Sequence, residues 1–455
     1  MQSSRFGVPA ALLALALALL LTLAACEKEG IQTTHYVTLT VPNYVPRAAV
    51  ADSVGMAPAR EICTPGNIYA RGALLLVNEV GEGWHLIDNT DPGAPRIEAF
   101  WQVPGASQLA FVGARVVTNR YGDLVAAEFD GAGGLRVVAE AADAFASRYG
   151  FPSYPDSVIV GYREVTQAFT YDEGDGVWGC GWGAFDAAAQ SLGWRGGFAR
   201  GLSENADLAF ADSRDALGAG APDFTASGSL SRFTSYGEHV YAVTDSRLSA
   251  FRLTDTIAKI DLEASPDPYR YYIWDAETAV VTDAVLYIGT PTGMHVFTLD
   301  DPSYPTFAST YTHTRGCDPV VVEGNRAAVT VRDGRECRSE RDVNRLYILD
   351  VTDPQAPREL SRTPMRHPHG VAIDGDRLFV CDGAHGFRAY AFTGQRTAPG
   401  ALLLDSPAPS TDVIVLPYAS GTTVLTVSAE ALVQYGDDPT GALAHLSTIK
   451  LGGCR

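Results

Sequence analysis

Cys317-Asp318-Pro319-Val320-Val321-Val322 is followed by the turn Glu323-Gly324-Asn325 and by Arg326-Ala327-Ala328-Val329-Thr330-Val331. A loop leads to Leu346-Tyr347-Ile348-Leu349-Asp350-Val351, a turn at Thr352-Asp353-Pro354, and Arg358-Glu359-Leu360-Ser361. The pattern then restarts. His369-Gly370-Val371-Ala372-Ile373 turns at Asp374-Gly375-Asp376 and continues as Leu378-Phe379-Val380-Cys381 and Phe387-Arg388-Ala389-Tyr390-Ala391. Four short apolar runs repeated in tandem, at a period of roughly 40 residues, are the signature of a propeller blade.

The same rhythm runs outward in both directions. Blade one is read at Asn67–Tyr69, Ala73–Val77, Trp84–Asp88 and Arg96–Phe100, and blade two at Gln108–Val112, Arg115–Thr118, Leu124–Glu128 and Leu135–Val138. From about Phe145 to Gly228 the period breaks into a stretch rich in Gly, Ala, Asp and aromatics. So long an irregular segment inside a compact domain is usually functional or disordered, and its aromatics argue against disorder. Ser157–Tyr162 reads as an extra strand within it. Blade three resumes at Arg232, blade four at Thr278, and blade seven covers Asp412–Leu446. The fold class expected is therefore all-β, a propeller of seven blades of four antiparallel strands. Eight blades is the alternative, if the N-terminal strand His35–Val41 and the insertion build one more. His35–Val41 alternates like a strand and is expected to add to a blade edge near the closure.

The expected organisation is a processing segment over 1–25, a linker over 26–60, and one propeller over 61–455 that carries an insertion at 146–228. An apolar run from about Ala10 to Leu23 follows Arg5 and ends in small residues. The run is near the lower limit of about 17 residues for a membrane span. The ending Leu23-Ala24-Ala25-Cys26 resembles the bacterial lipobox, which implies lipidation at Cys26, palmitate included, and a lipid anchor in the outer membrane. Lys28 between two acids resembles the surface-export signal of Bacteroidetes lipoproteins. The formal charge of the chain is −19, with only three lysines, Lys28, Lys259 and Lys450. An acidic surface excludes nucleic acid and adsorption to anionic lipid as natural roles.

Six cysteines follow Cys26, and an even count in an exported chain favours disulfides. Cys317 and Cys337 flank the first two strands of one blade and are the first expected pair, worth roughly 3 kcal/mol in the chain-entropy model. Cys63 opens the first blade and Cys454 ends the last, so a ring-closing bond between them is the second. Cys381 ends an apolar strand and reads as a buried thiol, and Cys180 has no evident partner.

The third strand and its Asp-Pro turn, in Leu346–Pro354 and again in His85–Pro92, resemble the LVIVD repeat. Gly66–Tyr69, Leu76–Glu79, Cys317–Val321, Pro368–Gly370 and Phe379–Gly383 recur in the order found in LVIVD-repeat lipoproteins of Bacteroidetes and relatives. Blades two, six and seven depart from the repeat core or its turn. The resemblance implies a propeller on the cell surface and supplies no catalytic residue.

Candidate chemistry sits where the innermost strands begin. Aligned on those strands, the blades present Asn67, Gln108, Arg232, Thr278, Asp318, His369 and Asp412, one polar residue each. Two carboxylates, an imidazole and a guanidinium in a ring could bind a divalent cation or a zwitterion, with Asp318, His369 and Asp412 as the metal set. Internal pairing within the ring is the plainer expectation. His367 and His369 form a weaker candidate metal pair. Trp178, Trp182 and Trp194 are candidate stacking groups or the insertion's own core. Zinc, nucleophile-elbow and phosphate-loop motifs do not occur in the sequence. The function expected is a non-catalytic binding module for a protein or glycan partner, with metal-assisted hydrolysis or lyase chemistry as the alternative.

Overall fold

The computed structural model of the chain describes residues 32–130, 134–145, 151–172, 225–227, 229–244, 247–317, 319–334, 339, 342–418, 421–451 and 454. The lipobox with Cys26, the three insertion tryptophans, Cys180, Asp318 and Cys337 lie outside them. The chain divides into two compact units, one drawing on Met1–Asn43 and Gly161–Gly197, the other on Tyr44–Val160 and Phe198–Arg455.

The larger unit is a seven-bladed propeller in which every blade holds four consecutive antiparallel strands. The innermost strands are Pro65–Arg71, Leu109–Val112, Phe233–Tyr236, Thr278–Thr282, Val320–Glu323, Val371–Asp374 and Asp412–Tyr418. A blade in a ring packs a neighbour on each face, so its inner strands are apolar on both sides. That is why they read as continuous runs such as Leu74–Val77 instead of alternating. Seven apolar clusters fill the seven gaps between blades. The one between blades seven and one interleaves Ile414, Leu416 and Leu425 with Ile68, Leu75 and Ile87.

The recurrent Asp-Pro turns are structural. Asp91, Asp301 and Asp353 each accept the backbone N–H two residues on, at 2.9 Å. Asp88 and Asp350 brace the same turns from the preceding strand by accepting from Thr90 and Thr352. Asx geometry of this kind fixes turn direction locally. Five outer strands also shift register by a bulge against the third strand, for example between Ile348 and Leu349. A sixth shift, between Val137 and Ala139, falls in the outer strand of blade two itself. Bulges re-aim edge strands and discourage pairing with other chains.

Two expectations change. Strand Gln32–Pro46 pairs with Ser157–Asp172 in a two-stranded sheet and does not add to a blade edge. The outer edge of blade one is covered by Gly55–Pro58 instead, aligned with Ala99–Gln102. An alternating pattern specifies a strand but not its partner. The segment before residue 61 is correspondingly more than a linker. Helix Arg47–Ala51 sets Arg47 against the buried Asp123, against Asp143 at 2.9 Å, and against the Ser157 carbonyl at 3.0 Å.

Among the described residues no strand is exchanged between the chain's two ends to close the ring. The seam between blades one and seven is held by the Cys63–Cys454 disulfide. At a second point Asn89 and Gln434 exchange amide hydrogen bonds of 2.9 and 2.8 Å. Ser447 donates to the Pro92 carbonyl at 2.6 Å. The third tie comes from the end of the insertion. Thr225–Ser227 adds to the inner edge of blade one, with Ala226 opposite Ala70, making that blade a six-stranded sheet.

Candidate functional site

The channel entry is built from the residues that start the innermost strands. Gln108 and Arg232 immediately precede their strands, Thr278 and Asp412 begin theirs, and His369 lies two residues before Val371. These five polar positions thus share one end of the ring, and their side chains turn to separate tasks.

Ser229, Leu230 and Ser231, all buried, cross the channel at this end between Thr225–Ser227 and blade three. Ser229 donates from its backbone N and its Oγ to Asp412 Oδ1, at 2.8 and 2.9 Å. The same oxygen takes the Val413 N–H at 2.9 Å. Ser229 Oγ in turn accepts the Val371 N–H at 2.9 Å, which links blades six and seven. Ser231 reaches the other side. Its Oγ accepts from Tyr69 OH at 2.9 Å, and its carbonyl accepts the Ala279 N–H at 3.0 Å. Gln108 Oε1 accepts the Arg232 N–H at 2.8 Å. The four residues Ser229–Arg232 therefore touch blades one, two, four, six and seven.

This corrects the picture of a shared polar ring. Asp412 is 3 % exposed, and its Oδ1 serves three internal donors. Thr278 Oγ1 accepts from Gly289 N within its own blade at 3.2 Å. Asn67 donates to Tyr69 OH and to the Ser107 carbonyl at 3.2 and 2.9 Å. Burial pushes the Tyr69 hydroxyl up to about 12, so it stays a neutral donor. Gly370 fits tightly here: a Cβ would come within 2.7 Å of Asp412 Cα and 2.9 Å of Ser229 Oγ. Asn67 Oδ1 and Gln108 Nε2 are among the buried polar atoms that keep no hydrogen-bond partner among the described residues. Among the described residues no group of three His, Cys, Asp or Glu side chains is placed to hold a metal.

His367 and His369 do meet, although Pro368 keeps both in the loop before the strand. His369 Nε2 and His367 Nδ1 are 3.0 Å apart, and His367 Nε2 lies 3.2 Å from the Asp333 carbonyl. A carbonyl only accepts, so His367 carries its proton on Nε2 and accepts at Nδ1 from His369 Nε2–H. Asp382 fixes the arrangement by accepting the His367 backbone N–H at 2.6 Å while pairing with Arg388. The facing nitrogens are thus spent on each other.

Burial, then Arg332 and His367, push His369 down to about 3. In the unfolded chain a histidine protonates near 6.5. Unfolded protein therefore takes up this proton as pH falls below about 6.5, and folded protein does not until about 3. The stability from the neutral ring is complete above the upper value and lost progressively between the two. The urea midpoint is expected to fall from pH 7 to pH 4, with a shallower slope in His369→Gln. An unchanged slope in that variant would reject the assignment.

The sequence offered little signal for Ser229 and Ser231, which follow the irregular segment and carry no repeat. Glu79 and His85 were also missed as a pair. Fully inside blade one, Glu79 accepts from Cys63 N at 2.9 Å, Thr64 N at 2.5 Å and His85 Nε2 at 2.8 Å. Those bonds hold its carboxyl below the usual range although burial opposes them. Cys381 is buried and free, and burial raises its thiol well above the ordinary value. Cys317 is disulfide-bonded to a partner outside the described residues.

No family model matches the chain, and no curated protein does. Solved structures that resemble it include a protein from Bacteroides fragilis named as a candidate 6-phosphogluconolactonase, 10% identical over 88% of this chain and 96% of that one, with a TM-score of 0.49. Hsv2 from Kluyveromyces lactis is 9% identical over 85% and 99%, with a TM-score of 0.44. A protein from Lactobacillus plantarum is 15% identical over 47% and 69%, with a TM-score of 0.36. At these identities and TM-scores none of the three bears on the chemistry of this chain.

Proposed function

We propose that the chain is a cell-envelope recognition module of the LVIVD-repeat lipoprotein type. Lipidated Cys26 tethers it to the outer membrane, and the rigid propeller presents its loops to a protein or glycan partner without acting on it. The observation that carries this reading is the crossing of the channel entry by Ser229–Ser231. The end where a propeller enzyme would gather reactive groups is used for internal hydrogen bonds to Asp412, Tyr69 and Val371. A fold of this kind hosts many functions, so the site and not the fold decides.

Elemental analysis of the full chain, purified in detergent without chelator, tests the reading against its alternative. The expected result is no stoichiometric divalent ion in wild type. An ion bound one to one and lost in Asp318→Asn would overturn it in favour of metal-assisted hydrolysis or lyase chemistry at Asp318, His369 and Asp412. The anchor has its own test, metabolic labelling with a palmitate analogue, which is expected to mark wild type and not Cys26→Ala.

A further inference from the structure

We infer that the connection between blades three and four is an aromatic platform for a neutral glycan, an inference that rests on the recognition reading above and names the partner class for it. The connection leaves the outer strand Ile257–Lys259 and returns to the inner strand at Thr278, through short 3-10 turns at Leu262–Ala264 and Pro268–Tyr271. Its apolar side chains divide sharply. Leu262, Tyr271, Ile273 and Ala276 are buried in the cluster between the two blades. Tyr271 OH also donates to the Pro305 carbonyl at 3.0 Å. Between these anchors Tyr269 is 82%, Tyr272 45% and Trp274 72% exposed. Over Tyr271–Trp274 the chain alternates inward and outward, so the anchored residues force their neighbours into solvent.

Single exposed apolar side chains are ordinary, whereas a cluster is not. Among the described residues three of the ten large exposed apolar side chains fall within these six positions. The platform is also ordered in advance. The Arg247 guanidinium lies 5.0 Å over the Tyr272 ring, Tyr272 OH is 3.5 Å from Glu263 Oε1, and Arg247 pairs with that oxygen at 3.0 Å. This closed triangle holds the ring in place, and a ring held before binding loses less entropy when it binds.

Charge and size select the partner. The arginines flanking the strip are each compensated, Arg270 by Asp267 at 3.2 Å and Arg315 by Asp275 at 3.3 Å. Arg270 in addition lies 4.2 Å over the Phe307 ring. A charge-balanced strip on a chain of net −19 has nothing to offer an anionic polymer. A stable protein partner would need about 800 Å² per side, more than three side chains supply. A pyranose ring fits what is present. Its C–H face lies on an aromatic ring, and its hydroxyls at the rim find carboxylate acceptors in Glu263, Asp267 and Asp275.

The test is affinity electrophoresis of the full chain in detergent through gels containing mixed-linkage β-glucan, xyloglucan, galactomannan or, as the anionic control, alginate. At least one neutral polysaccharide is expected to retard wild type. Trp274→Ala and Tyr269→Ala are each expected to weaken that binding about tenfold, with unchanged thermal midpoints, because both side chains are exposed. Trp274→Phe should keep most of it. The inference is overturned if no neutral polysaccharide retards the protein, if alginate alone does, or if the double variant binds as wild type. Binding of purified envelope sacculi, measured alongside, separates the two readings. Sacculi held equally well by wild type and by the Tyr269→Ala/Trp274→Ala double variant, with no neutral polysaccharide retarding either, would remove the platform and leave the recognition module standing. A wild type that binds neither polysaccharide nor sacculi removes the platform and leaves the recognition reading to a protein partner alone.

Discussion

Asp412→Ala is expected to lower the unfolding free energy by about 3–5 kcal/mol, and Asp412→Asn by only about 1–2 kcal/mol. The difference follows from what Asp412 does. One carboxylate oxygen accepts from Ser229 N, Ser229 Oγ and Val413 N in a site that excludes water. Alanine removes the acceptor and leaves those donors buried, at about 1–3 kcal/mol for each that stays unsatisfied. Local relaxation and the freedom of the Ser229 hydroxyl to turn hold the total below the simple sum. Asparagine keeps one carbonyl oxygen in the same position and loses the charge, which strengthens such bonds roughly twofold. Denaturant midpoints of the two variants give the comparison. A catalytic or metal-ligating Asp412 would behave the other way, with Asn as damaging as Ala to activity and neither strongly destabilising. Equal, small losses of stability in both variants would therefore refute the structural role. The same logic reaches Ser229→Ala, which breaks the link from Asp412 to Val371 and is expected to fall between the two.

The propeller was legible because its physics is local and repeated. Strands buried on both faces give apolar runs, and Asp-Pro turns such as Asp350-Val351-Thr352-Asp353-Pro354 carry their own hydrogen bonds. The starts of the innermost strands were legible for the same reason, since register from one blade transfers to the next. The outer strand of blade six, Leu402–Ser406, was not read, because Thr393–Gly400 replaces the Asp-Pro turn and the strand is mostly exposed. What a polar residue bonds to was not legible at all. Asp412 and Ser229 are far apart in sequence, and nothing in either segment announces the other. The pairing of Thr225–Ser227 with blade one and of Gln32–Pro46 with Ser157–Asp172 was hidden in the same way. Several residues that carry the family resemblance prove to be buried structural groups. Asn78 donates to the Gly83 and Ala106 carbonyls, Glu79 holds the Cys63 backbone, and Asp382 holds His367. A recurring polar motif in this fold therefore marks a backbone that needs a partner, and a search for its ligand belongs on the exposed loops.

Cys63→Ser is expected to lower the unfolding free energy by roughly 6 kcal/mol in the chain-entropy model, because the bond closes a sequence separation of 391 residues. The ring gives this disulfide its weight. The four core strands of every blade are consecutive, and among the described residues no strand from one end of the chain completes a blade at the other. Among the described residues blades one and seven meet through side chains, the Thr225–Ser227 strand and the disulfide. Glu79 accepts from the Cys63 and Thr64 backbone N–H groups and is itself held by His85, so the cysteine is presented to Cys454 by a buried polar anchor. Without the bond, the Asn89–Gln434 amide pair and the apolar cluster of Ile68, Leu75, Ile414 and Leu425 still join the seam. The ring should therefore remain closed at neutral pH and open first at that seam. Hydrogen exchange reads this directly. Amides in Leu74–Glu79 and Gly421–Val427 are expected to lose more protection in Cys63→Ser than those in Val285–Thr290, across the ring. Loss of protection spread evenly over all blades would mean that the ring unfolds as one unit and that the disulfide stabilises it globally, not at the seam. Unchanged protection would mean that the amide pair, the apolar cluster and the strand from the insertion suffice to close the ring alone.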